Sequence, residues 1–139
     1  MSLSHAQHNE RLCLIIHGQR DYNDWVCTTA FYSAMHFVYF KIFPLTLNRV
    51  VYHDFNQYYR ENHPRRTPNK HEVTKDLVSS QLNPIHGKYR QLLDLSCNAR
   101  YSQYNIADNV ANRAIQYLAD IKQFCEPSRV QIAEPTQSV

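Results

Sequence analysis

Between Trp25 and Phe40 the chain reads WVCTTAFYSAMHFVYF, 16 residues without an Asp, Glu, Lys or Arg. Bulky groups fall on every side of a helical wheel here, and a helix that is apolar all round has to be buried. A membrane span is excluded by length, since crossing takes roughly 18 to 20 nearly unbroken apolar residues, and by His36 and the hydroxyls. The segment is therefore expected to be the central helix of a bundle. Asp21 is placed to cap it, with Asp24 in the first turn where the helix dipole favours a carboxylate. Pro44 ends it.

The other elements must wrap around this helix. With 139 residues the chain makes one domain, and only two glycines argue against hairpins and for helices. The expected class is all-α. The domain is expected to cover residues 1–125, with 126–139 a flexible tail. Four cysteines without a C-x-x-C pair, behind a polar beginning that does not read as a signal peptide, suggest free thiols in a cytoplasmic protein. Of the eight histidines only His5 and His8 have ligand-like spacing, so no metal is expected.

Along the chain, Ser4 and Gln7 form a capping-box pattern ahead of a helix to about His17, with Leu12, Ile15 and Ile16 as its apolar stripe. From Thr46 to Tyr59 the apolar residues fit a helical face, although Val50, Val51 and Tyr52 also suit a strand. His63 to His71, HPRRTPNKH, is a basic loop. Thr67 followed by Pro68 then reads as an N-cap with proline at the first helical position. Val73, Leu77, Val78 and Leu82 continue that helix to Asn83 and Pro84. Tyr89, Leu92, Leu93 and Ser96 belong to a second helix, or to the second half of one kinked helix. The last helix starts near Asn105, with Asp108 as its capping-box partner, and stops at Pro127.

Three of these pieces, DYNDW running into AFYSAMH, the loop with KHEVTKDLV, and KYRQLLDLSCNARY, together resemble the HEPN superfamily of small helical proteins over roughly residues 21–118. The resemblance implies a four- to five-helix up-and-down bundle that forms a homodimer. It also implies metal-independent RNA cleavage by an Arg and a His in an R-x(4–6)-H motif, in toxin–antitoxin or defence systems with a nucleotidyltransferase-type antitoxin as partner. Other HEPN members are non-catalytic modules that bind RNA, a nucleotide or a protein. Here the motif spacing falls on Arg66 and His71, with Arg65 as the alternative arginine.

The local chemistry points the same way. If Thr67 is the N-cap, Arg66 and His71 occupy the two positions whose side chains meet across a helix start. A helix N-terminus suits a phosphate and disfavours imidazolium, which leaves His71 neutral and able to take a proton. Arg49 to Lys75 holds six basic residues against three acidic ones, a surplus of three that equals the net charge of the whole chain. Arg60, Arg65 and Lys70 with Tyr59 then form an expected RNA surface, with basic groups for the backbone and an aromatic face for bases. The plainer alternative is a solvated loop whose R-x(4)-H spacing is a coincidence. His36 and Arg100 are a second candidate pair, facing a pocket between helices. No Walker loop, G-x-S-x-G or GxGxxG occurs, and no cofactor is expected.

Overall fold

The computed structural model describes residues 2–101 and 105–126. Its elements are α1 (Ser2–Gln19), α2 (Asn23–Ile42), β1 (Leu45–Leu47), β2 (Val50–Tyr52), α3 (Phe55–Asn62), α4 (Lys70–Gln81), α5 (His86–Tyr101) and α6 (Asp108–Cys125), with a 3₁₀ turn, Asn83–Ile85, between α4 and α5. The chain is thus mostly helical. Among the described residues no helix is long and apolar enough to cross a membrane.

α2 is the axis, packed against α1, α5 and α6. Phe31, Phe37, Val26 and Val38 are fully buried along it, and Tyr89, Leu92, Leu118 and Ile121 close around them from α5 and α6. Leu77 and Val78 add the α4 side. Trp25 departs from expectation. It is 54% exposed, because it sits in the first turn of α2, whose buried sector there is taken by Val26 and Cys27. Met35 is only partly covered. Asp21 does not cap α2 either. The helix starts at Asn23 behind Tyr22, with no side-chain cap, while Asp24 does lie in the first turn.

α1 begins at Ser2, so the Ser4–Gln7 pair lies inside the helix. Its buried face is Ala6 and Cys13, flanked by Leu3 and Ile16. Leu12 and Ile15 point to solvent, with Ile15 62% exposed. Small residues let α1 approach the α2 backbone: the Ser33 hydroxyl donates to the Ala6 carbonyl at 2.7 Å, and the Cys13 thiol lies 3.5 Å from the Val26 carbonyl. A larger group at either position would push the helices apart. α6 is stitched on at its edges, with Lys122 on Glu10 at 3.1 Å and the Asn23 amide on Asp108 at 2.8 Å.

The segment after Pro44 is a hairpin before it is a helix. Leu47 pairs with Val50 across a two-residue turn whose Asn48 and Arg49 both have positive φ, 51° and 69°, as a tight hairpin turn requires. The strand alternative for Val50 to Tyr52 is therefore the one realised. α3 starts only at Phe55, where the Asp54 carboxylate accepts from the Gln57 N–H at 2.8 Å and Gln57 reaches back to the His53 N–H.

α4 also starts later than the Thr67–Pro68 pattern suggests. Asn69 is the N-cap, its side chain accepting from the Glu72 N–H at 3.0 Å, and asparagine outranks threonine in that role. His71 is thus the second helical residue, and the side-chain meeting expected from a Thr67 cap does not apply. α4 and α5 are separate helices, divided at Asn83–Ile85. α6 begins at Asp108 behind Ala107, not near Asn105, and ends at Cys125. The expected stop at Pro127 and nearly all of the expected tail lie outside the described residues.

Candidate nucleic-acid interface

The loop between α3 and α4 is shaped by short bonds. The His63 N–H donates to the Tyr59 carbonyl at 2.8 Å, and the Arg66 N–H donates back to the His63 carbonyl at 2.9 Å. Arg66 is left-handed, with φ 59°, a region that costs a side-chain-bearing residue energy unless its surroundings hold it there. The Tyr59 hydroxyl reaches across to the Pro68 carbonyl at 3.0 Å. Lys70, the first residue of α4, stands over the Tyr59 ring, 5.8 Å from its centre.

These constraints enclose a cavity of about 400 Å³. Arg60, His63, Arg66 and Lys70 line it together with Tyr59 and Asn56, and none of the described lining residues is acidic. Among the described residues, no ion pair neutralises Arg60, Arg66 or Lys70. Cations gathered without a carboxylate repel one another, and an anion among them relieves that repulsion. Of the residues expected to contact RNA, Arg60, Lys70 and Tyr59 come together here with Arg66. Arg65 is exposed and stands outside the cavity. Tyr59, 6% exposed, is a wall and not an open stacking platform, because its ring is stacked on Phe55. Tyr52 is likewise buried, edge-on to Tyr58.

His71 faces the other way. It lines a second cavity, of about 500 Å³, with His36, Met35, Tyr39, Asp54 and Phe55, and Lys70 and Asn56 border both spaces. The His71 ring packs edge-on against Phe31, with centroids 5.4 Å apart, and its Nδ1 is buried without a hydrogen-bond partner among the described residues. Burial first, then the Arg100 charge, pulls its pKa below the usual 6.5, with Glu72 opposing in part. It is neutral at physiological pH.

Arg66 and His71 therefore sit on adjoining cavities, and the arginine whose charge acts on His71 is Arg100. Its guanidinium donates to the Ser96 hydroxyl at 2.8 Å and the Tyr32 hydroxyl at 3.1 Å, and lies over the Tyr32 ring. His36 is stacked on His5, centroids 3.8 Å apart, and burial, aided by His5, lowers its pKa to about 4. His5 is thus engaged with His36, and among the described residues no three His, Cys, Asp or Glu side chains are arranged as metal ligands.

The sequence reading missed Asn56 and named His63 only as part of the basic loop and its aromatic surroundings. Both lie one helical turn from residues it did single out, Asn56 four before Arg60 and His63 three after it, a spacing that could have found them. The nearness of Arg100 to His71 has no local signal, since it depends on how α4 and α5 pack against one another and α2. Comparison with protein-family models, with curated proteins and with solved structures finds no match for this chain.

Proposed function

We propose that this chain is a HEPN-like RNA-binding protein that holds the phosphate backbone of single-stranded RNA in the Arg60–His63–Arg66–Lys70 cavity. One observation carries the reading: four basic side chains line one cavity, and no acidic residue is among its described lining. The mostly helical architecture around a buried aromatic helix is compatible with the superfamily. The half-exposed Tyr22 and Trp25 and the strongly exposed Tyr101 suit a two-fold dimer, because aromatic surface of this kind is enriched in interfaces.

A second reading, metal-independent cleavage of that RNA, is favoured by His71. Its imidazole is neutral and stands next to Lys70, so a strand bound in the basic cavity would present a ribose 2′-hydroxyl near a ring nitrogen able to accept its proton. The 2′-oxygen would then attack the neighbouring phosphorus and close a 2′,3′-cyclic phosphate, the P–O5′ bond would break with water protonating the departing 5′-oxygen, and Arg66 and Lys70 would stabilise the charge that builds on the phosphorus oxygens.

Fluorescence anisotropy on a labelled single-stranded RNA tests the binding. Affinity should fall steeply with salt, and with Arg60→Ala, Arg66→Ala or Lys70→Ala, each of which removes a phosphate contact. Binding that is absent or indifferent to salt overturns the proposal. Incubation of the same RNA in EDTA tests the cleavage, which should be present in the wild type and lost in His71→Ala with binding kept. Equal products from both proteins would dismiss a catalytic His71.

A further inference from the structure

The start of α2 and the end of α5 border a cavity of about 350 Å³, lined by Asp24, Trp25, Thr28, Ala99 and Arg100. It shares no described lining residue with the basic one. We propose that it binds a free α-amino acid with an apolar side chain, its carboxylate held by Arg100, its ammonium by Asp24 and its side chain against Trp25.

Arg100 carries its charge among neutral partners. Its Nη1 donates to the Ser96 hydroxyl at 2.8 Å and the Tyr32 hydroxyl at 3.1 Å, its Nη2 reaches the Cys97 Sγ at 3.8 Å, and the guanidinium lies over the rings of Tyr32 and Tyr101. These contacts hold the fork in place and leave Nη2 one further N–H to give. Among the described residues no carboxylate comes within ion-pair distance of it. Asp24 is the counterpart. It lines the same cavity, yet its carboxylate forms no ion pair with Arg100 or with any other described residue, and the Thr28 hydroxyl donates at 2.9 Å to its backbone carbonyl instead. Each charge is tolerated singly because it stands at the favourable end of its own helix, Asp24 in the first turn of α2 and Arg100 in the last turn of α5.

Opposite charges that share a cavity without meeting select a ligand. A simple anion is drawn to Arg100 and repelled by Asp24, and a simple cation experiences the reverse, whereas a zwitterion is attracted at both ends. A carboxylate accepts from the guanidinium, and an ammonium brings three donors to the Asp24 carboxylate. Trp25 supplies the third contact. It is 54% exposed, although tryptophan is highly buried on average, and with Ala99 it gives the cavity an apolar wall. The volume lies within the ~300–1,000 Å³ typical of small-molecule sites.

Trp25 is the only tryptophan of the chain, so its fluorescence reports on this cavity directly. The full chain is titrated with L-phenylalanine and L-leucine, each beside the two analogues that lack one charge: phenylpropionate and phenethylamine for the first, isocaproate and isoamylamine for the second. At least one amino acid should change the emission saturably and bind roughly tenfold or more tighter than either of its analogues, the gain expected from one more charge-assisted bond. Asp24→Asn should erase the advantage over the carboxylate, and Arg100→Gln the advantage over the amine. A circular-dichroism melt shows which variants fold, and either folded variant suffices. Light scattering fixes the oligomeric state in which the titration is made, since Trp25 also belongs to the aromatic surface offered above to a dimer. Analogues that bind as tightly as both amino acids, an advantage that survives in a folded variant, or neither an emission change nor calorimetric heat with any compound overturns the proposal. None of these outcomes bears on the phosphate site, whose lining is separate.

Discussion

The Tyr59 hydroxyl donates to the Pro68 carbonyl at 3.0 Å, tying α3 to the residue just ahead of the Asn69 cap of α4. That bond closes the basic loop on itself and fixes one wall of the cavity on which Arg60, His63, Arg66 and Lys70 converge.

Tyr59→Phe removes the bond and keeps the ring. The loss should be about 0.5–1.5 kcal/mol, the usual net worth of one hydrogen bond, together with weaker RNA binding as the loop loosens. Urea unfolding and anisotropy measure the two effects. Unchanged values in both would show that the bond does not hold the loop.

Arg66→Gly separates backbone from charge. A left-handed residue with a side chain costs about 1–2 kcal/mol that glycine avoids, so the variant should be as stable as wild type or slightly more so. Its RNA affinity should nevertheless fall, with the salt slope reduced by about one phosphate contact. A destabilised variant that binds RNA normally would contradict both halves of this expectation.

Phe31→Ala and Trp25→Ala should diverge sharply although both residues lie in α2. Phe31 is fully buried and its truncation should cost about 3–5 kcal/mol. Trp25 is half-exposed, and its truncation should stay near or below about 1 kcal/mol. Chemical denaturation of the pair is the check, and equal losses would mean that the indole is covered in solution.

Acid should destabilise the fold through His36. Its folded-state pKa, about 4, lies below the ordinary 6.5, so the unfolded chain binds a proton first as pH falls. Stability is therefore fully present above about pH 6.5 and is lost as pH drops toward about 4, with His71 acting in the same direction. For a ring still partly in solvent, the loss attributable to His36 is on the order of 1 kcal/mol. The gap between urea midpoints at pH 7 and pH 4.5 should narrow in His36→Asn, with the part due to His71 remaining, and an undiminished pH dependence in that variant would assign the effect elsewhere.

Much of the fold can be read from residue order, because local rules govern it. The uncharged run ending at Phe40 demanded a buried helix, Pro44 and Asn83–Pro84 marked real boundaries, and Leu77, Leu92, Leu118 and Ile121 lie in the core at their helical spacing. Asp54 with Gln57 and Asn69 with Glu72 are capping patterns as plain as the Thr67–Pro68 pair, and side chains and N–H groups at both sites are in fact bonded. Other features could not be read locally. Whether Ala6 and Cys13 or Leu12 and Ile15 faced inward depended on how closely α1 approaches α2, and it is the small residues that lie at the close contact, where the Ser33 hydroxyl reaches the Ala6 carbonyl. The site shows the same division. The cluster of basic residues around the α3–α4 loop is a fact of sequence, since neighbours in the chain stay neighbours in space. That Arg66 lines one cavity and His71 the next, with Arg100 acting on His71 from α5, was decided by the packing of α2, α4 and α5, which brings together residues far apart in the chain.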